Sequence, residues 1–161
     1  MSGAYTPPPS PDEPTRRLYE AIERSDPFAL RLALADGADP NYRYLEDGGP
    51  LWRAVDQNDR DSVEVLLAAG ARANALLPGN MLYDLAAVHY HMRAFGSSAG
   101  RVPGPHPYSN ADDYLAFAER ITEREGLERP IILRLLREHG ACTAGEVRCG
   151  KRPWPPSRRA G

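Results

Sequence analysis

Apolar residues in this chain fall into short blocks with helical spacing, separated by polar or glycine-containing breaks. Leu18, Ala21 and Ile22 share one face of a segment that begins at Thr15. Asp26 and Pro27 mark a turn and a fresh start. Aspartate accepts hydrogen bonds from the first free N–H groups of a helix, and proline fits the first helical position, where an N–H has no partner. Residues 28–35 follow, apolar on nearly all sides, the pattern of a helix sandwiched between neighbours. Gly37 ends this helix, because the residue past a helix terminus often takes left-handed φ/ψ. The same order then returns: a helix over 51–57, a break at Asn58 and Asp59, a helix over 62–69 and a stop at Gly70. A third start opens at Met81-Leu82-Tyr83-Asp84-Leu85-Ala86, and a last apolar block, Ile131 to His139, runs into Gly140-Ala141. Between them lie a Gly/Ser/Pro-rich loop over 96–107 and a predicted helix, Ala111–Glu125. Asn110 is its expected cap, Asp112 and Asp113 suit the positive end of its dipole, and Gly126 closes it. Its apolar stripe is Tyr114, Leu115, Ala118 and Ile121.

The blocks repeat in register as well as in kind. Leu18-Tyr19-Glu20-Ala21-Ile22 is echoed 33 positions later by Leu51-Trp52-Arg53-Ala54-Val55. Leu34-Ala35-Asp36-Gly37-Ala38-Asp39-Pro40-Asn41 is echoed at the same shift by Leu67-Ala68-Ala69-Gly70-Ala71-Arg72-Ala73-Asn74. A fixed period of this length marks stacked units, none of which can bury its apolar face alone. In the third unit the Gly-Ala end is expected near position 101 and occurs at 140, so 39 residues are inserted.

Residues 15–75 resemble two consecutive ankyrin repeats, and residues 80–141 resemble a third, split by the insertion. Gly37-Ala38-Asp39-Pro40-Asn41 is similar to the family's second-helix ending, and the Gly-Ala pair recurs at Gly70 and Gly140. Where the family carries Thr-Pro-Leu-His, this chain has Arg16-Arg17-Leu18-Tyr19, Gly49-Pro50-Leu51-Trp52 and Asn80-Met81-Leu82-Tyr83. The family's histidine ties adjacent turns by hydrogen bonds; an aromatic in its place predicts that packing takes over. The resemblance implies an all-α fold, an ankyrin-repeat solenoid of about three helix-turn-helix units with projecting turns. The repeats fall at about 15–47, 48–79 and 80–141, the third holding the insertion at about 96–126. A Pro-rich leader over 1–14 and a basic, Pro-rich tail over 142–161 are expected to be disordered. The inserted helix is expected to cap the last unit by burying Tyr114, Leu115 and Ile121, the alternative being that the insertion is a mobile partner-binding arm, and Trp52 and Tyr83 are expected in the core.

By the same resemblance, a partner protein would meet the projecting turns and the exposed face of each first helix. Those positions are Tyr42, Arg43, Tyr44, Leu45 and Glu46, then Leu76, Leu77 and Asn80 in the turns. On the helices they are Glu20, Glu23 and Arg24, then Arg53, Asp56 and Gln57, then Asp84 and Val88. Tyrosine and arginine are enriched among the residues that carry binding energy, which suits the first turn. Leu45, Leu76 and Leu77 add apolar area on the same edge.

Composition narrows the classes. The chain has 161 residues, is 42% hydrophobic and carries a formal net charge of −2, which suits a folded protein and disfavours nucleic-acid binding. No apolar run approaches the roughly 20 residues that span a bilayer, and no secretory signal opens the chain. Cys142 and Cys149 are too few for a disulfide framework, so the expected location is a reducing cytoplasm. Lys151 is the only lysine, a usage that points to a GC-rich bacterial genome.

Catalytic groupings do not stand out. His89 and His91 sit two apart on a predicted helix, about 200° around its axis, whereas a helical zinc pair needs i, i+4 spacing. His106 lies in the inserted loop, and His139 precedes Gly140, where a cation suits a helix C-terminus. His139, Cys142 and Cys149 lack a fourth ligand for zinc. There is no phosphate loop and no nucleophile elbow. The expected function is therefore a non-catalytic protein–protein interaction module, such as an adaptor, an inhibitor or an immunity-type protein. It would act as a monomer, with no cofactor, metal, nucleic acid or membrane partner. The alternative is an enzyme accessory or small metal-dependent enzyme that uses the insertion with His89, His91 and His106.

Overall fold

The computed structural model describes residues 10–43, 48–74, 76–77, 80–96 and 111–148. Among them the chain is helical, with eight helices and one short strand pair, and it divides into two compact units, Met1–Arg72 and Ala73–Gly161.

In the first unit, α1 is Glu13–Glu23. It starts two residues before the expected Thr15 because Asp12 caps it, accepting a 2.9 Å hydrogen bond from Thr15 N, while Pro14 occupies the first turn. The expected leader therefore ends earlier; residues 1–9 lie outside the described set. Helix α2 is Pro27–Ala35, and Asp26 caps it by accepting from Ala29 N at 3.0 Å. Helix α3 is Pro50–Asp56 and α4 is Arg60–Ala68, the latter capped by Asp59, which accepts from Ser62 N and Ser62 Oγ.

The two helix pairs repeat each other in backbone detail. Ser25 and Asn58, 33 positions apart, both take left-handed φ, at 50° and 55°. The next residue in each case donates back into the first helix at 2.9 Å, Asp26 N to Ala21 O and Asp59 N to Ala54 O. Gly37 and Gly70 hold φ of 96° and 92°, a region that penalises any side chain, and so end both second helices in the same way. Helix α1 packs on α2 and on α3, and α4 packs on α3 and on α2, which buries Leu18, Ile22, Leu30, Ala33, Leu51, Ala54, Val63 and Leu66. Each large apolar side chain so buried contributes roughly 1.5–3 kcal/mol.

Helix α2 departs from its expected all-round burial. Phe28 is 68% and Leu32 50% exposed, because among the described residues of this unit only one flank of α2 has a helix pair beside it.

The second unit opens with β1, Leu76–Leu77, antiparallel to β2, Asn80–Met81, with Leu76 opposite Met81 and Leu77 opposite Asn80. Four helices follow: α5, Leu82–Phe95; α6, Ala111–Glu125; α7, Ile131–Glu138; and α8, Ala144–Arg148. Leu82, Tyr83, Ala86, Ala87 and Tyr90 of α5 are buried, as are Leu133 and Leu136 of α7.

The inserted helix α6 forms over the expected residues, and Gly126 closes it at φ 67°. Its buried face is Ala111, Tyr114, Phe117, Ala118 and Thr122, whereas Leu115 and Ile121 are only half-buried. Aromatic packing sets that face: Phe117 lies 6.4 Å from Phe95 and 6.3 Å from Tyr114, ring centre to ring centre.

A second correction concerns the tail. Residues 142–148 are ordered into the unit: Cys142 and Thr143 are buried, and α8 follows. Thr143 Oγ1 accepts from Glu146 N, and Glu146 Oε2 accepts from Thr143 N, both at 3.0 Å, a reciprocal cap that starts the helix. Residues 97–110, including the expected cap Asn110, and residues 149–161 lie outside the described set.

Candidate functional site

One side chain recurs as a tie between distant loops. Asn41 Nδ2 donates to Gly70 O at 3.1 Å, and its Oδ1 accepts from Arg72 N at 2.8 Å. Asn74, 33 positions on, makes the same pair: Nδ2 donates to Gly140 O at 2.8 Å and Oδ1 accepts from Cys142 N at 2.7 Å. A carboxamide presents one donor and one acceptor in fixed geometry, so it satisfies a C=O and an N–H two residues apart. The sequence echo contains both asparagines, but their role was not read from it.

The candidate binding residues are placed as follows. Tyr42 is half-buried; its ring meets that of Tyr19 edge-on at 6.5 Å, and its carbonyl accepts a 2.7 Å hydrogen bond from Tyr19 Oη. Tyr19 thus makes a hydrogen bond to a turn as well as packing against it. Arg43 is exposed; Tyr44, Leu45 and Glu46 lie outside the described residues. Arg53 is half-buried: it stacks 5.4 Å over the Tyr19 ring and donates to Glu23 Oε1 at 3.2 Å. Asp56 and Gln57 are exposed at the end of α3, and Glu20, Glu23 and Arg24 are exposed on α1 and its C-cap. Glu20 and Arg24 also line a groove of about 190 Å³ between α1 and α2, with Arg17, Ala21, Asp26, Ala29 and Leu32. In the second unit Leu76, Leu77 and Asn80 belong to the strand pair, and Val88 is half-buried on α5.

Asp84 is a correction. It is buried, and its Oδ2 accepts from Ala144 N at 2.9 Å, so it anchors α8 and is withdrawn from any binding face. The helical face that carries it is the one on which α8 begins.

Arg137 is a charged hub among the described residues of the second unit, and no local pattern along the chain marks it. Its side chain is 8% exposed. It forks onto Asp112 at 2.8 and 3.0 Å, onto Glu146 at 2.8 and 2.6 Å, and donates to Ala141 O at 2.7 Å. Its guanidinium also lies 6.0 Å from the Tyr83 ring centre. Burial opposes the charge, but hydrogen bonds to the Asp112 and Glu146 carboxylates outweigh it and raise its pKa further. The Tyr83 hydroxyl is fully buried with no hydrogen-bond partner among the described residues, and burial pushes its pKa up. Burial likewise raises Tyr114, and raises Tyr90 to about 12. Trp52, expected in the core, is half-buried, and its enclosed Nε1 has no hydrogen-bond partner among the described residues.

The histidines are scattered. His91 Nδ1 is hydrogen-bonded to Tyr114 Oη at 2.9 Å, and its ring lies 4.8 Å from Phe95. His139 Nδ1 lies 2.9 Å from Leu135 O, one turn back in α7. His89 is half-buried, and His106 and Cys149 lie outside the described residues. Among the described residues no three His, Cys, Asp or Glu side chains form a group able to hold a metal ion, and no helix is long and apolar enough to cross a membrane. No protein-family model matches this chain, and no curated protein matches it.

Proposed function

We propose that the chain is a non-catalytic, protein-binding module built as an ankyrin-type repeat array. The observation that carries this reading is the return of the same backbone devices at a 33-residue interval. The left-handed residues Ser25 and Asn58, the aspartate caps Asp26 and Asp59, and the glycine stops Gly37 and Gly70 all recur at that interval. So do the ties made by Asn41 and Asn74. Repetition of this kind makes a rigid row of similar helix ends, and rigid rows bind by presenting side chains at fixed spacing.

On the first unit that row is Glu23, Arg53, Asp56 and Gln57. The Glu23–Arg53 pair, seated against Tyr19, fixes the two helices' polar edges beside each other. Arginine held in this way is pre-organised for a carboxylate or backbone carbonyl on a partner. On the second unit the corresponding position is Val88. A folded protein with a polar, mixed-charge patch is the partner this chemistry suits, in a reducing compartment that leaves Cys142 as a thiol.

The test has two steps. The full chain, immobilised, captures a protein from its host, and the captured protein is purified and titrated against it by calorimetry. The combined change Asp56→Arg and Gln57→Ala weakens binding about tenfold or more, some 1.4 kcal/mol. Unchanged affinity removes the row from the interface. Turnover of a small molecule by the purified chain defeats the non-catalytic reading.

A further inference from the structure

We propose that the groove between α1 and α2 is a self-association surface, closed by the same groove of a second copy of this chain. This does not depend on the protein-binding reading and departs from the monomer expected from the sequence.

The starting observation is an asymmetry between equivalent positions. Ala29 and Leu32 of α2 correspond, 33 residues on, to Ser62 and Val65 of α4. Ser62 is fully buried and Val65 is 9% exposed, in a helix that has α2 beside it. Leu32 is 50% exposed, and Phe28, one turn before it, is 68% exposed. The face that α4 fills with a neighbouring helix is therefore open on α2, and it carries larger apolar side chains than α4 does. Among the described residues of the first unit, this face holds the two most exposed large apolar side chains.

Shape and charge select the occupant. The groove of about 190 Å³ is lined by Arg17, Glu20, Ala21, Arg24, Asp26, Ala29 and Leu32. A cavity of about 150 Å³ accepts a benzene ring, so this one has room for a phenyl side chain. Phe28, exposed on the same helix one turn before Leu32, offers such a side chain. The charges at its rim balance: Arg17 and Arg24 against Glu20 and Asp26. Among the described residues Arg17 is engaged with Asp36 at 2.9 Å and Asp26 caps α2, while Arg24 and Glu20 are exposed at the rim. A rim that offers one cation and one anion gains nothing from a partner of a single charge sign. It is complementary to itself under a two-fold axis, with Arg24 of each copy against Glu20 of the other and each Phe28 in the opposite groove. A second copy is thus the occupant that satisfies groove, knob and rim together.

Sedimentation equilibrium on the full chain, from low to several hundred micromolar, tests this. The expected result is a weight-average mass that rises with concentration from the 17.8 kDa monomer toward twice that value. Leu32→Glu and Phe28→Ser each hold the mass at the monomer value, while the melting curve in dilute solution does not move. Glu20→Arg alone weakens association about tenfold, and adding Arg24→Glu restores it, the signature of reciprocal pairing. A monomer at every concentration overturns the proposal, as does a dimer that survives Leu32→Glu. A chain that associates only after residues 1–9 are deleted also overturns it, since that face would then be filled within one molecule.

Discussion

Asn41 and Asn74 perform the same task in the two units, and their surroundings differ in depth. Asn41 ties Gly70 and Arg72 near the surface, half-buried, with bonds that water can replace. Asn74 is 3% exposed and holds Gly140 and Cys142 with shorter bonds. The first unit is built from two nearly identical helix pairs and relies on repetition. The second is held by buried polar links: Asn74, Asp84 on Ala144, and Arg137 between Asp112 and Glu146. Such links join elements that are far apart in sequence. Those ties concentrate its stability in a few side chains.

The largest effect should come from the most connected of them. Arg137→Met keeps the aliphatic stem but removes the hydrogen bonds that the guanidinium donates to Asp112, Glu146 and Ala141 O. Breaking a buried ion pair from one side costs about 3–5 kcal/mol. Urea unfolding followed by circular dichroism should show that loss, and a variant within 1 kcal/mol of the parent (roughly the size of an exposed pair) would erase the contrast between the units. The exposed pair Arg53→Met, in the first unit, should cost far less by the same measurement.

The paired asparagines sharpen the comparison directly. Asn74→Ala strands a buried N–H and a buried C=O and should cost about 2–3 kcal/mol, whereas Asn41→Ala, where water can enter, should cost about 1 kcal/mol. Equal losses in parallel denaturation curves would mean that depth is not what separates the two sites.

The smallest effects are in pH, and they run in opposite directions for the two units. Burial raises Tyr90 to about 12, from 10.0. Its neutral form is the one that folds, so its contribution is intact below pH 10 and is lost as pH climbs from there toward 12. In the first unit, hydrogen bonds from the Thr15 side chain and backbone hold the Asp12 carboxyl below its ordinary 3.8. Its contribution is intact above that value and fades as pH falls through the lowered one. Amide exchange resolved by segment should show alkaline loosening first around Tyr90 and acid loosening first at the start of α1.

Much of the helix pattern was legible because caps and stops are local. Asp26, Asp59, Gly37, Gly70 and Gly126 act within a few residues of their own positions, so reading along the chain finds them. Thr143-x-x-Glu146 is local as well, and it was available as a start signal for α8; the basic, Pro-rich composition around it drew attention to disorder instead. The candidate surface was less legible. Asp84 looks like any exposed helical carboxylate until α8 is seen to start against it. Phe28 and Leu32 look like core until the absence of a helix pair beside α2, among the described residues of its unit, is seen.

Helix starts and stops, and the likeness of two helix pairs, follow from the order of residues along the chain, since capping chemistry, glycine φ preference and apolar spacing act over a few residues at a time. Which polar side chains are buried as structural ties depends on how the elements pack. Apart from Ala141, one turn on from Arg137, the partners of Arg137, Asn74 and Asp84 lie 9 to 68 positions away along the chain, and burial, which gives those contacts their strength, exists only once the elements have packed.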